Sequence, residues 1–181
     1  AFFLSVLCIG VGLKAQATTV YVIDKSVKYQ QTDNFSASDA WRMDFVGKNW
    51  PSEKKEYIAD LLFKREFDKD GNPMGMALSN WRVNIGAGSY ENRENNEVTS
   101  TWNRTECFLS PDGEYDFTKQ AGQQWFMNAA RERGMNNFLF FTNSAPYFMT
   151  RTGSTLSGDN SGINLRNDKF DDFARFLVRC V

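Results

Sequence analysis

Strand-like and helix-like patterns alternate three times between residues 35 and 181, and that order restricts the possible folds more than any other feature of the chain. Residues 35–45 read as an extended segment bounded by aromatic side chains. Pro51 then opens a helix, PSEKKEYIADLLFKREF, with Tyr57, Ile58, Leu61 and Leu62 as its apolar stripe and DKDGN at 68–72 as its stop. Residues 76–85 read as the next strand, followed by a polar loop from Gly86 to about Asp116. Asp116 is placed to cap a helix, FTKQAGQQWFMNAARERG, with Ala121, Trp125, Ala129 and Ala130 inward and Gly134 at its end. NFLFFT at 137–142 is a third strand. In the last segment Phe170, Phe173, Ala174, Leu177, Val178 and Val181 form one helical stripe, with Asn167 or Asp168 as N-cap.

Strands alternating with helices imply an α/β fold with a parallel sheet. Eight units of this size need about 400 residues, within reach of a large (β/α)8 barrel. An open doubly wound sheet is the rival architecture. The final helix stops on Val181 with its apolar stripe unfinished, so the chain reads as the N-terminal part of something longer.

The N-terminus has a different character. Residues 1–17, AFFLSVLCIGVGLKAQA, place an apolar run before Ala15-Gln16-Ala17, the small-x-small pattern of a signal-peptidase site. The run is too short to span a membrane. We read a partial signal peptide over 1–17 and an exported protein with its mature chain starting near Thr18. The next stretch, TTVYVIDKSVKYQ, alternates as a strand does.

Composition removes several function classes. The net charge is −1, with no basic stripe to neutralise nucleic-acid phosphates. Histidine is absent, which excludes a Ser-His-Asp triad, a Cys-His pair and any His-ligated metal within this chain. Nothing in the sequence calls for a metal or organic cofactor. The D-x-D-G-N stretch at 68–72 lacks the Gly and Glu a calcium loop requires at later positions, which hold Pro73 and Ser79, so it reads as a turn. Beyond the signal, Cys107 and Cys180 remain; a disulfide and two free thiols are both open.

WRVNIGAGS at 81–89 offers two glycines, Gly86 and Gly88, but no third glycine and no helix follow, and Glu91, Glu94 and Glu97 would repel a phosphate. Its alternation is more informative. Val83 and Ile85 face one side; Arg82 and Asn84 face the other, inward in a barrel. An inward Arg requires an acidic partner, so Arg82 predicts a carboxylate near the C-terminal ends of the strands, whether structural or functional. The glutamates at 91, 94, 97 and 106 read as solvated loop residues.

The loops after the three strands share a composition. Ser38, Asp39 and Trp41 follow the first; Gly88, Ser89 and Tyr90 the second; Asn143, Ser144, Tyr147 and Phe148 the third. Short hydrogen-bonding side chains beside aromatic rings suit a saccharide, whose hydroxyls want directed partners and whose C–H face packs on a ring. Any one of these rings also suits a core.

The motifs FSASDAW, FVGKNWP, IADLLF, LSNWRVNIGAGS, RTECFL, PDGEYDFTKQAGQQWFMNAARERG and FTNSAPYFMT resemble the N-terminal part of secreted bacterial enzymes of glycoside hydrolase family 30, particularly endo-β-1,6-galactanases. The resemblance runs from about Val20 to the end. It implies a (β/α)8 catalytic barrel, begun here by residues 31–181, fused to a β-sandwich side domain to which residues 18–30 contribute one strand. It also implies hydrolysis with retention by two glutamates about 5 Å apart, following strands four and seven of the barrel. Both lie beyond Val181, so this chain carries no catalytic glutamate and is expected to be inactive alone. Arg82 matches the arginine that supports the nucleophile. Asp39 and Trp41 match the first barrel loop near the sugar, and Asn143 and Ser144 the loop after strand three; Asn84 and Tyr147 complete the candidate substrate-binding set.

Two departures are visible. Asp33-Asn34-Phe35-Ser36-Ala37 stands where many relatives have D-G-F-G-A, and Asn143 stands where xylan-cleaving relatives carry Trp. The second argues against a xylanase. Sister specificities (xylanase, β-1,6-glucanase, glucosylceramidase-like) and a non-catalytic carbohydrate-binding scaffold remain alternatives.

Overall fold

The computed structural model describes residues 19–95, 98–158 and 162–181. The export signal expected at 1–17, and Glu97, lie outside them. The chain divides into two compact units, Ala1–Thr32 and Asp33–Val181.

In the first unit, the expected strand at 18–30 does not form among the described residues. Val20, Tyr21, Val22, Ile23 and Tyr29 are exposed. A turn follows Asp24, whose Oδ1 accepts the Ser26 N–H at 2.9 Å and hydroxyl at 2.7 Å. Alternation supplies a strand's two faces, but a strand also needs a neighbour for its backbone groups, and this segment pairs with no other strand among the described residues.

The second unit runs β1 (Ser36–Ser38), α1 (Arg42–Asn49), α2 (Ser52–Phe63), β2 (Asn80–Asn84), α3 (Ala121–Glu132), β3 (Phe138–Phe141) and α4 (Phe170–Cys180). Short 3-10 turns lie at Thr101–Asn103, Tyr147–Met149 and Asn167–Lys169. The three strands form a parallel sheet in the order β1-β2-β3, aligning Ser38 with Arg82, Arg82 with Leu139, and Asn84 with Phe141. Trp81 and Val83 enter a core with Phe63, Phe126, Ala129 and Ala130; Arg82 and Asn84 take the other face, as the alternation requires. Trp81 and Phe63 meet edge to face, ring centroids 5.2 Å apart. Each such buried aromatic contributes roughly 1.5–3 kcal/mol. Ile85, just past β2, joins a second cluster with Cys107, Met149, Leu165 and Phe176.

Several boundaries differ from expectation, each for a local reason. The segment at 35–45 is extended only as far as Ser38. Ala40 and Trp41 are left-handed, with φ of 48° and 53°, which turns the chain into α1. The second helix ends at Phe63 and buries Ala59 and Phe63, leaving Tyr57 and Leu61 exposed. Asp116 caps a local turn through the Thr118 N–H (2.9 Å) rather than a helix. The left-handed Gln120 delays α3 to Ala121, so its buried face is Gly122, Gln123, Phe126, Ala129 and Ala130, with Ala121 exposed and Trp125 half-buried under Lys55. In α4 the buried residue is Phe176, flanked by Phe173, Leu177 and Cys180, while Phe170, Ala174, Val178 and Val181 are exposed. Neither Asn167 nor Asp168 caps α4; both belong to the preceding 3-10 turn.

α1 and α3 meet at two glycines. A Cβ on Gly122 would stand 1.9 Å from the Asp44 carbonyl oxygen, and one on Gly47 would stand 2.4 Å from the Gly122 carbonyl oxygen. This contact sets the spacing of the helices behind the sheet. The D-x-D-G-N segment is the turn expected: Asp68 Oδ1 accepts the N–H groups of Asp70 (2.9 Å) and Asn72 (2.8 Å).

Candidate functional site

Beyond the C-terminal ends of β1, β2 and β3, the following loops enclose a cavity of about 430 Å3. Trp41, Asn84, Asn143 and Ser144 line it, together with Ser89, Ser100, Asn103 and Thr105 from the long loop after β2, and Thr155 and Leu156 from the loop after β3. Among the described residues, no Lys, Arg, Asp or Glu lines it. Three lining residues keep a buried polar atom without a hydrogen-bond partner among the described residues: Trp41 Nε1, Asn84 Oδ1 and Asn103 Oδ1. Buried polar groups are almost always paired, so these atoms call for a partner outside the described residues.

The glycines of G-A-G permit close packing in this architecture. A Cβ on Gly86 would fall 1.9 Å from the Glu106 carbonyl oxygen. Gly88 has φ of 89°, and a Cβ there would press within 2.7 Å of the Tyr147 ring. Tyr147 therefore packs against the β2 loop, with its N–H donating to the Ala87 carbonyl at 3.0 Å, and does not line the cavity.

Asp39 and Arg82 lie outside the lining. Asp39 is buried; Oδ1 accepts the Trp41 N–H at 3.0 Å, and Oδ2 has no hydrogen-bond partner among the described residues. Burial pushes its carboxyl up to about 7, against the opposing pull of nearby backbone N–H groups and the Arg82 charge. Arg82 is half-buried and stacks on the Phe141 ring, 3.4 Å from the centroid. The carboxylate expected for it does not pair with it among the described residues; its guanidinium lies on the Phe141 face, and Asp39 acts on it only through space.

Two glutamates read as solvated are structural. Glu106 accepts the Gln120 N–H at 2.6 Å and pairs with Lys48, which also reaches Asp44 at 3.0 Å. Glu91 accepts the Cys107 N–H at 3.1 Å and pairs with Lys119 at 2.9 Å. Together they fasten the loop after β2 to α1 and to the start of α3. Glu94 is exposed, as expected. Cys107 and Cys180 are both free thiols beside one apolar cluster, pushed by burial to about 12 and about 11.

Sequence reasoning brought Trp41, Asn84, Asn143 and Ser144 to one cavity and missed Asn103, which sits in a polar loop without periodicity. With this geometry in view, comparison with known proteins is decisive at family level. Residues 18–181 match the family model described as O-Glycosyl hydrolase family 30. The chain belongs to glycoside hydrolase family 30. This family 30 chain is 80% identical to a conserved exported protein from Bacteroides fragilis, with a TM-score of 0.82 over 87% of the chain and 32% of that structure. It matches the catalytic domain of GH30 xylanase C from Talaromyces cellulolyticus with a TM-score of 0.53 at 19% identity, over 86% of the chain and 34% of that structure, a likeness of fold. Over 78 residues it is 37% identical to an exo-β-1,6-galactobiohydrolase of Bifidobacterium longum subsp. longum, covering 39% of the chain and 5% of that protein. The family 30 chain thus spans about a third of the structures it matches.

Proposed function

We propose that this chain is the N-terminal part of an exported, retaining glycoside hydrolase that cleaves β-1,6-galactan side chains from within. Residues 1–17 serve as its export signal, 18–30 as a strand of a β-sandwich side domain, and 31–181 as the opening arc of a (β/α)8 barrel. Export accords with the Bacteroides fragilis relative described as an exported protein. A parallel β1-β2-β3 sheet with helices between its strands accords with the barrel.

The observation that carries the reading is the cavity's lining, uncharged among the described residues, with unpartnered polar atoms. Trp41 Nε1 donates only and Asn84 Oδ1 accepts only. A sugar hydroxyl does both, so one saccharide ring satisfies them together, with Asn143 and Ser144 at the same wall. A lining without formal charge favours a neutral hexose over a glucuronic-acid-bearing xylan, whose carboxylate would seek a cation. The galactose-directed relative points to the same sugar. In this assignment Asp39 and Tyr147 hold Trp41 and the β2 loop in place, and Arg82 supports a nucleophile supplied outside residues 1–181. The acid/base and nucleophile glutamates lie outside this chain, so residues 1–181 alone hydrolyse nothing.

The galactobiohydrolase relative favours a second reading, release of galactobiose from chain ends. Digestion of β-1,6-galactan by the intact protein separates the two. A ladder of oligosaccharide lengths at early times supports internal cleavage; galactobiose alone supports end-cleavage; inertness on galactan with turnover of xylan or β-1,6-glucan contradicts both.

A further inference from the structure

We propose that Asn103 is a specificity-determining residue whose Oδ1 accepts a hydroxyl of a neutral saccharide in the 430 Å3 cavity. The inference rests on the cavity being a saccharide site and goes beyond it. It places a reader of the sugar in the long loop after β2, away from the strand ends.

The loop is built to hold Asn103 still. Trp102 packs against Phe45 of α1 in a tilted ring pair with centroids 4.2 Å apart, docking the 3-10 turn onto a helix. The Asn103 N–H donates to the Ser100 carbonyl at 3.0 Å, closing the turn. Two residues on, the Thr105 N–H donates to Ser89 Oγ at 2.8 Å, and the Tyr90 N–H donates to the Thr105 carbonyl at 2.9 Å. The backbone on both sides of Asn103 is therefore committed to the protein. Its side-chain oxygen is not: it is buried, lines the cavity and has no partner among the described residues. A buried acceptor left unmade is costly, whereas one that receives a ligand hydroxyl repays its desolvation. Asn84 Oδ1, nine-tenths buried and equally unpartnered, lines the same space from β2. Two acceptors and the Trp41 donor match a polyol and oppose a phosphate, an anion that finds no cation among the described lining residues.

The test uses the intact protein carrying this chain, with β-1,6-galactobiose and its single-position deoxy derivatives as probes, binding read by calorimetry. Removal of one neutral hydrogen bond is expected to weaken N103A by about tenfold. One deoxy sugar should lose a similar factor with the unmodified protein, and N103A should then show no additional loss on that sugar. A merely structural role would weaken all the sugars equally. The deoxy panel on the unmodified protein keeps the test decisive should N103A be unstable: no sensitive position overturns the proposal. If N103A binds every sugar as the parent does while N84A fails to, Asn103 is not a reader and the saccharide site stands. If the unmodified protein binds none of the sugars, the saccharide site falls and the proposal with it.

Discussion

The Asp44 carboxylate on α1 caps α3: its Oδ1 accepts the Gly122 N–H at 3.0 Å and the Gln123 N–H at 3.4 Å. The first N–H groups of a helix lack partners within it, and here the preceding residue, left-handed Gln120, supplies no side-chain cap. A residue from a distant helix does so instead. D44A is expected to cost about 1–3 kcal/mol, with D44N recovering part of it. Urea denaturation of the intact protein checks this; an unchanged midpoint for D44A would remove the cap from the account.

The same crossing predicts a glycine-specific defect. At Gly122 a methyl group would collide with backbone, 1.9 Å from the Asp44 carbonyl oxygen, which cannot swing aside as a side chain can. G122A should lose about 3 kcal/mol or more. Gly113, with φ of 94° and nothing within 4 Å, meets only backbone strain, so G113A should lose about 1 kcal/mol. Thermal melts of the two variants side by side give the comparison, and equal losses would refute the close approach of α1 and α3.

Asp39 sets a pH dependence. Its carboxyl is raised by burial to about 7, so the folded protein keeps a proton that the unfolded chain releases above about pH 4. The stability this group contributes is complete below the unfolded value, falls as pH rises through the interval to about 7, and is gone above it. D39N carries no proton to lose. Its stability should decline less between pH 4 and 7 than that of the parent, and parallel curves would contradict the assignment.

Arg82 separates folding from function. Its guanidinium lies over Phe141 and makes no ion pair among the described residues, so the fold draws little on its charge. R82M keeps an apolar stem over the ring and should leave the melting temperature nearly unchanged. In the intact enzyme the proposed support of the nucleophile would be lost, and kcat/KM should drop by about a hundredfold or more. A stable R82M enzyme with undiminished turnover would return Arg82 to a packing role.

Much of this architecture is readable from residue patterns. Period-two alternation put Val83 against the helices and Arg82 and Asn84 on the opposite face, because in a strand the face follows from parity alone; Ile85, expected beside Val83, lies past the end of β2 and joins the second cluster instead. Helical stripes are less determinate. In α4, Phe176 and Cys180 supply a second apolar arc overlapping the expected one, and only tertiary packing selects it. α1 was hidden by the left-handed pair Ala40 and Trp41, a conformation no side-chain pattern announces. The Gly47–Gly122 contact and the Asp44 cap join elements far apart in sequence. Asn103 shows the same limit at the site: its place on the cavity wall comes from a loop anchored by Trp102, and loop polarity carries no direction.

Proton NMR of β-1,6-galactan during hydrolysis by the intact protein tests the central claim most directly. New reducing ends should appear first as the β-anomer, with products of several lengths, and reach the α/β equilibrium only later by mutarotation. Initial formation of the α-anomer, or no hydrolysis of galactan at all, would contradict a retaining β-1,6-galactanase built on this cleft.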